Sequence, residues 1–429
     1  MKSVLCSVFG TWHRTLLSVF IVGLLIRGIF VLTLQDGFYF PDSIEYSGAA
    51  HNLLISGQLG EAYNRPPAYP LFLAAIYTLF GERILAVRLV ESIMGALLAV
   101  IIASIGKRIG GQAAGAIAGI LWSGYPLGVF IAGVLYPTNL LTVLLACGVL
   151  CFLPNSQQEF SSKRVFVAGV LWGLAALTIP VVLATIVVIG LWLIYWAGRG
   201  NRLRLLSLLF LGAVVVVLPW AIRDFYVYGR VIIIEPRMVQ HLPTMRSAEG
   251  ELRSRKIEAI LNHQGEFAAR FANQFFHFWT LYPDRMAMDR QEYREQWHEK
   301  DQRVVKDTIL IANDLIDAVS LLSTGPLFLF AIIGTLAMCV EQKRRRDLSL
   351  MWALILSFAV IYSMFVTRTR YRIPIEPYIT ILSAYGLKMA WSILARGSSL
   401  AYLITATSLK TPARIMTQVY PENRVDEDK

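Results

Sequence analysis

Residues Phe40–Gly81 read FPDSIEYSGAAHNLLISGQLGEAYNRPPAYPLFLAAIYTLFG, and this stretch governs the interpretation of the whole chain. It follows a first apolar segment and contains an acid, Asp42, and an arginine before two prolines, Arg65-Pro66-Pro67. Most connections between helices are only a few residues long, and long ordered connections usually carry function. The stretch therefore predicts a functional loop beside a membrane.

The composition places the chain in a membrane. Of its 429 residues, 56% are hydrophobic and 16% are charged, and the mean hydropathy is +0.55. A soluble protein cannot bury that much apolar surface. The net charge of +11 is accounted for by the basic loops that membrane proteins place on the cytoplasmic side, so we expect no nucleic-acid partner.

Apolar windows predict an all-α polytopic protein with about ten membrane-spanning helices. The apolar segment 68–80 is too short to cross a bilayer, since a crossing helix needs about 20 residues. We expect it to form a helix at the membrane interface, because three prolines stand at its start. The predicted spans are 16–34, 84–106, 112–134, 138–153, 164–180, 181–197, 205–222, 324–340, 348–366 and 375–394.

Basic residues recur in alternate loops and predict the orientation. Lys107-Arg108, Lys163-Arg164 and Lys343-Arg344-Arg345-Arg346 fall on one side, which is expected to be cytoplasmic together with the N-terminus. The loop that contains Phe40–Gly81 is then expected on the outer face of the membrane. The predicted parts are an N-terminal transmembrane module (1–222) with a catalytic first outer loop of interfacial helices (35–83), a mainly helical outer segment (223–323), C-terminal transmembrane helices (324–396) and a cytoplasmic tail (397–429).

The acid in the first outer loop is a candidate catalytic group. A carboxylate just outside a span can act as a general base for an acceptor hydroxyl, and Asp42 occupies such a position. The other interpretation is a solvated loop acid or a helix N-cap, because Pro41-Asp42-Ser43 is typical of a helix start. Glu45 and Tyr46 follow one turn later.

Arginines on the outer side are the second set of candidates. The sequence TRTRYRIPIEP, residues 367–377, places Arg368, Arg370 and Arg372 there against the usual charge bias. Since a guanidinium matches phosphate oxygens with two parallel hydrogen bonds, these residues and Arg65 favour binding of a phosphate. Anchoring to lipid headgroups and snorkelling of Arg65 are the alternatives.

Motifs for nucleotides, zinc or disulfides are absent from the sequence. There is no GxGxxG, Walker A, HExxH or CxxC pattern, and the four cysteines are interpreted as free thiols in apolar surroundings. We therefore predict no cofactor and no metal ligands, although a divalent metal remains an alternative that is not favoured.

Five stretches together resemble the GT-C class of membrane glycosyltransferases, and in particular the family 39-type group of protein O-mannosyltransferases and the lipid A aminoarabinose transferase. The stretches are PDSIEYSGAAHNLLISGQL, RPPAYPLFLAAIYTLFG, KRIGGQAAGAIAG, LPWAIRDFYVYGR and RYRIPIEPYITILSAYGL, in the expected order between about residues 39 and 390. The resemblance implies a sugar donor linked to polyprenyl phosphate, surrounding membrane lipids, and a glycan, lipid or protein acceptor.

The resemblance also implies roles for individual residues. Asp42 would be the base or acceptor-orienting residue, and the sugar would be transferred with inversion. Arg65 and the three arginines of the 367–377 stretch would bind the leaving phosphate. The residues implied to line the acceptor site or the groove are Glu45, Tyr46, Tyr63, Tyr69 and Tyr371.

Two departures from the relatives bear on this expectation. Asp42 is followed by Ser43 instead of a second acid, and the outer turn at Tyr136-Pro137-Thr138-Asn139 also lacks one. A metal held by two carboxylates is for this reason not favoured. Two other functions stay open at this point: a flippase or transporter of a lipid-linked glycan, and an inactive assembly partner with the same fold.

Overall fold

The computed structural model describes residues 12–60, 65–153, 160–228, 264–282, 313–365 and 367–408, with four further positions between 298 and 305. The described chain is mostly helical, with one isolated backbone bridge at Phe38. In chain order its helices are α1 (Trp12–Leu32), α2 (Pro41–Ser56), α3 (Ala68–Phe80), α4 (Ile84–Gly110), α5 (Gln112–Gly124), α6 (Pro126–Phe130), α7 (Thr138–Phe152), α8 (Ser162–Ala176), α9 (Val181–Trp196), α10 (Arg202–Tyr228), α11 (Gln264–Phe278), α12 (Asn313–Val340), α13 (Arg345–Ser363) and α14 (Glu376–Ser408).

The all-helical membrane architecture is confirmed, whereas the number of spans is not. Each of the ten predicted spans coincides with a helix or a bent helix pair. In the described chain, however, only six helices are long and apolar enough to cross a membrane: α1, α4, α10, α12, α13 and α14. The bent pair α5 and α6 would make a seventh. The helices α7, α8 and α9 have 15 or 16 residues each and fall short of a full crossing.

Small residues allow the long helices to approach each other closely. A Cβ atom added to Gly386 of α14 would overlap the carbonyl of Phe330 in α12, and one added to Gly169 of α8 would overlap the carbonyl of Leu209 in α10. Contacts of this kind between backbones are typical of helices packed inside a membrane. They explain why α12 pairs with α14 and α8 with α10.

A sharp bend separates α5 from α6. The axes of the helices on either side of Tyr125 differ by 57°, and Pro126 begins the second one. The break leaves carbonyl groups at the end of α5 without helical partners. Arg27 of α1 donates hydrogen bonds to two of them, those of Trp122 at 3.3 Å and Ser123 at 3.1 Å, and its side chain is completely buried.

The connection between α1 and α4 contains two helices, as predicted, and they pack against each other. Pro41 begins α2, because proline is well suited to the first position of a helix, and α3 covers the predicted interfacial segment 68–80. The side chains of Tyr46, Tyr69 and Val87 form part of a separate apolar cluster between α2, α3 and the start of α4. This cluster fixes the first turn of α2, where Asp42 lies.

Candidate active site

Asp42 lies in the first turn of α2 and is the centre of a cluster of charged and polar side chains. Arg65 donates a hydrogen bond to its Oδ1 at 2.9 Å, and Arg370 donates one to its Oδ2 at 3.1 Å. The hydroxyl of Tyr136 donates to the same Oδ2 at 3.2 Å. Residues separated by up to 328 positions in the chain thus meet at one carboxylate. We call Asp42, Arg65, Tyr136 and Arg370 the Asp42 cluster.

Arg65 is held by three groups of α2 in addition to the stiff turn that precedes α3. Its Nε donates to Glu45 at 2.6 Å and its Nη1 donates to the hydroxyl of Tyr46 at 3.4 Å, while its guanidinium lies 5.1 Å from the centre of the Tyr46 ring. The side chain of Arg65 is only 14% exposed. Its guanidinium is therefore fixed in place before any ligand arrives.

Tyr136 and Arg370 form the opposite side of the cluster. Arg370 donates to the Tyr136 hydroxyl at 3.0 Å, and its guanidinium lies 5.1 Å from the Tyr136 ring centre and 5.3 Å from that of Tyr371. Two aromatic faces favour a cation at this position. Tyr136 was missed as a site residue by the sequence reasoning, which noted only that the turn at residues 136–139 lacks an acid.

The arginines keep Asp42 ionised. Burial by itself would raise the pKa of Asp42, but the charges and hydrogen bonds of Arg65 and Arg370 outweigh burial and lower it below its ordinary value. The position of Asp42 in the first turn of a helix also favours the carboxylate. Burial and the neighbouring Asp42 charge raise the pKa of Tyr136, so its hydroxyl keeps its proton and remains a donor.

The other predicted site residues do not join the Asp42 cluster. Arg372 is fully buried and pairs with Glu376 at 2.8 Å. Tyr69 is also buried, and its hydroxyl donates to Glu91 at 2.5 Å. Arg368 is exposed, and Tyr63 lies outside the described residues. Glu45, Tyr46 and Tyr371 border the cluster through their contacts with its two arginines.

The carboxylate of the Asp42 cluster and that of the neighbouring Glu45 do not fit a divalent metal site. Asp42 and Glu45 already accept hydrogen bonds from guanidinium groups, and a metal would have to displace them. Across the described ranges there is no group of three or more histidine, cysteine, aspartate or glutamate side chains that could hold a metal ion. Cations in this cluster are supplied by the arginine side chains.

Sequence comparison matches part of the chain to one family model. Residues 64–222 match the family model described as dolichyl-phosphate-mannose-protein mannosyltransferase. No curated protein matches the chain by sequence. The matched residues include Arg65 and Tyr136 of the Asp42 cluster, whereas Asp42 and Arg370 lie outside them.

Comparison with solved structures identifies the fold of the chain. ArnT from Cupriavidus metallidurans in the apo state superimposes with a TM-score of 0.58 at 16% identity, covering 90% of this chain and 62% of ArnT. The chain has the GT-C fold of membrane glycosyltransferases. The same ArnT bound to undecaprenyl phosphate gives a TM-score of 0.54 at 17% identity, with 91% and 62% coverage.

A second GT-C protein gives a similar match. The archaeal oligosaccharyltransferase AglB from Archaeoglobus fulgidus, in complex with an inhibitory peptide and a dolichol-phosphate, has a TM-score of 0.55 at 14% identity. The match covers 94% of this chain and 52% of AglB. This chain thus spans about three fifths of the length of ArnT and half that of AglB. The expected resemblance is confirmed at the level of the fold.

Proposed function

We propose that this chain is an integral-membrane glycosyltransferase that moves a sugar from a polyprenyl-phosphate-linked donor to an acceptor on the outer face of the membrane, with inversion. One observation carries the proposal: a single ionised carboxylate, Asp42, lies between two guanidinium groups from opposite ends of the chain. A base and two fixed cations are the groups that transfer from a phosphate-linked sugar requires. A bacterial inner membrane, with the N-terminus on its cytoplasmic side, is part of the same proposal.

Arg65 and Arg370 would bind the phosphate of the donor. Both side chains are partly buried and held in place, so little reorganisation accompanies the development of negative charge on the leaving group. The undecaprenyl phosphate of the ArnT structure and the dolichol-phosphate of the AglB structure support a ligand of this chemical class. Arg368, which is exposed at the start of the same turn, would contact the phosphate or a neighbouring lipid headgroup.

Asp42 would accept the proton of the attacking hydroxyl. The acceptor oxygen would form a bond to the anomeric carbon on the side opposite the phosphate, and the electron pair of the broken C–O bond would leave with the phosphate. A single displacement of this kind inverts the anomeric configuration. When the phosphate shares the charge of Arg65 and Arg370, the pKa of Asp42 would rise and make it a better base.

The acceptor is expected to enter beside Glu45, Tyr46 and Tyr371, which border the two arginines. These residues offer a carboxylate, hydroxyl groups and aromatic faces, which suit a hydroxylated acceptor such as a glycan. The acceptor could equally be a lipid or a protein hydroxyl. The donor is expected to bind before the acceptor, because its phosphate must first release Asp42 from its ion pairs.

The proposal is tested by transfer in reconstituted vesicles. Wild-type protein and Asp42→Asn are supplied with a labelled polyprenyl-phosphate sugar and with an extract of candidate acceptors, and transfer of label is measured. Asp36→Asn serves as the matched control, because Asp36 is an exposed acid of the same loop. We expect transfer in wild type and Asp36→Asn and its loss in Asp42→Asn. Equal transfer in Asp42→Asn would refute the role of Asp42, and lipid translocation without transfer would favour a flippase.

A further inference from the structure

The turn that carries Arg370 is attached at its start to the helix α11, which belongs to the outer segment. The backbone N–H of Thr367 donates to Oε1 of Gln274 at 2.8 Å, and the Thr367 hydroxyl lies 2.7 Å from the same oxygen. That hydroxyl is also 3.3 Å from Nδ1 of His277, one turn further along α11. Gln274 therefore fixes both the main chain and the side chain of Thr367.

Arg372 attaches the end of the same turn to the last residue of α11 and to the chain just after it. Its Nη1 donates to the carbonyl groups of Phe278 at 3.1 Å and Thr280 at 2.6 Å. Carbonyl groups at the end of a helix have no helical partner, and a cation is favourable there. The ion pair with Glu376, at the first residue of α14, fixes the position of Arg372 in turn.

Arg370 lies between these two attachments. The short turn Thr369–Tyr371 begins two residues after Thr367 and ends one residue before Arg372. The ring of Tyr371 stacks on Tyr362 of α13, with 4.6 Å between ring centres and 3° between the planes. The backbone of Arg370 is thus held from three sides, and two of these sides depend on α11.

The outer segment also contacts the chain that leads into α2, the helix that carries Asp42. Two hydrogen bonds join the main chain of Phe38 to this segment. The Phe38 N–H donates to the Arg303 carbonyl at 2.7 Å, and the Val305 N–H donates to the Phe38 carbonyl at 3.0 Å. Phe38 precedes the helix that begins with Pro41 and Asp42 by only a few residues. Both halves of the cluster are accordingly attached to the outer segment.

We propose that α11 positions Arg370 for the donor phosphate, with Gln274 as the positioning residue, so that the docking of α11 sets the affinity of the site for polyprenyl phosphate. The inference rests on the proposed function, since it assigns the phosphate to Arg370. Among the described residues Gln274 has hydrogen bonds to Thr367 and none to the Asp42 cluster, so its effect on Arg370 would pass through Thr367. Any acceptor that contacts α11 would by this route alter donor binding.

The test measures the dissociation constant of undecaprenyl phosphate for purified full-length protein. Gln274→Leu keeps most of the side-chain volume and removes Oε1, the acceptor of the Thr367 backbone N–H, while the backbone carbonyl of residue 274 stays within reach of the Thr367 hydroxyl. We expect binding to be weaker by about fivefold to tenfold, since one hydrogen bond is lost and a second is weakened. Gln274→Glu retains an acceptor oxygen and is expected to restore the wild-type affinity. Asn273→Ala, an exposed neighbour on the same helix, is the matched control and is expected to bind as wild type does.

A double-mutant cycle with Arg370→Ala distinguishes positioning from a general effect on stability. If Gln274 acts through Arg370, Gln274→Leu will weaken binding in the wild-type background and have little further effect in the Arg370→Ala background. Equal weakening in both backgrounds, or unchanged affinity in folded Gln274→Leu, overturns the inference while the proposed function stands. Unchanged affinity in Arg370→Ala itself would instead refute the phosphate role of Arg370, and with it both proposals.

Discussion

Asp42 and the donor phosphate are expected to compete for the same two guanidinium groups. Each oxygen of the Asp42 carboxylate accepts a hydrogen bond from one arginine, Arg65 or Arg370. An incoming phosphate must share those donors and is also repelled by the carboxylate charge. The substitution Asp42→Asn removes that charge and keeps the shape of the side chain. We therefore predict that Asp42→Asn abolishes transfer and at the same time binds polyprenyl phosphate more tightly.

The magnitude follows from the geometry of the cluster. A phosphate bound to the adjacent edge of either guanidinium would lie about 6 Å from the carboxylate, because the charge-assisted hydrogen bonds of about 2.8 Å leave the planar fork at an angle to one another. At that distance the repulsion is roughly 3 kcal/mol for an effective dielectric constant of about 20 and roughly 0.7 kcal/mol in water. Since the Asp42 side chain is 25% exposed, we expect a gain of about 1.5 kcal/mol, or about tenfold in affinity.

The assay is equilibrium binding of undecaprenyl phosphate to purified protein in detergent, followed at low and moderate ionic strength. Salt should reduce the difference between Asp42→Asn and wild type, because the effect is electrostatic. Glu45→Gln is a useful comparison: Glu45 accepts a hydrogen bond from Arg65 and its side chain is 40% exposed, so a smaller gain is expected. Equal or weaker binding by folded Asp42→Asn would refute the competition between carboxylate and phosphate.

Three further predictions concern the neighbours of Asp42. Tyr136→Phe keeps the ring beside Arg370 and removes the hydroxyl between Arg370 and Asp42. We expect kcat to fall by about tenfold to a hundredfold, with an unchanged melting temperature. A kcat equal to that of wild type would contradict the role of the hydroxyl. Arg65→Gln removes a charge that lowers the pKa of Asp42, so the pKa of Asp42 should be higher in the variant. The residual activity of the variant, measured from about pH 5 to 8, should therefore fall at acidic pH, where wild type keeps Asp42 ionised. Parallel pH profiles of the two proteins would contradict this. Arg372→Ala leaves Glu376 buried without its arginine and should lower the free energy of unfolding by about 3–5 kcal/mol. Arg370→Ala should leave the free energy of unfolding nearly unchanged. Thermal unfolding measures both, and equal melting temperatures of the two variants would contradict a structural role for Arg372.

The helices could be predicted from the sequence because hydropathy is a local property. The boundaries of α3 coincide with the predicted interfacial segment, and Pro41 begins α2 as its position suggested. The number of spans was harder to predict, since apolar windows cannot distinguish a crossing helix from a short buried one. The break at Pro126, which divides one predicted span into α5 and α6, depends on the packing of Arg27 against the freed carbonyl groups.

The arginine turn shows why the site was only partly predictable. Alternating positions suggest a common direction for Arg368, Arg370 and Arg372, but two successive 3₁₀ turns rotate Arg372 into the protein interior. The spacing of Arg372 and Glu376, four residues apart, was the local signal for a structural pair. Tyr136 gave no such signal, because its partners Asp42 and Arg370 are distant in the chain and meet it only in the folded protein.

The buried guanidinium of Arg27 has a consequence for the order in which this protein enters the membrane. An arginine in an isolated apolar helix costs about 2.5–3.5 kcal/mol to insert. The carbonyl groups that accept hydrogen bonds from Arg27 at the end of α5 are about 95 residues further along the chain. During synthesis we therefore expect the charge of Arg27 to stay near the lipid headgroups, or to be shielded by the insertion machinery, until α4 and α5 have entered the membrane. In a chain truncated before Trp122, replacing Arg27 with leucine is expected to increase the fraction of α1 that inserts.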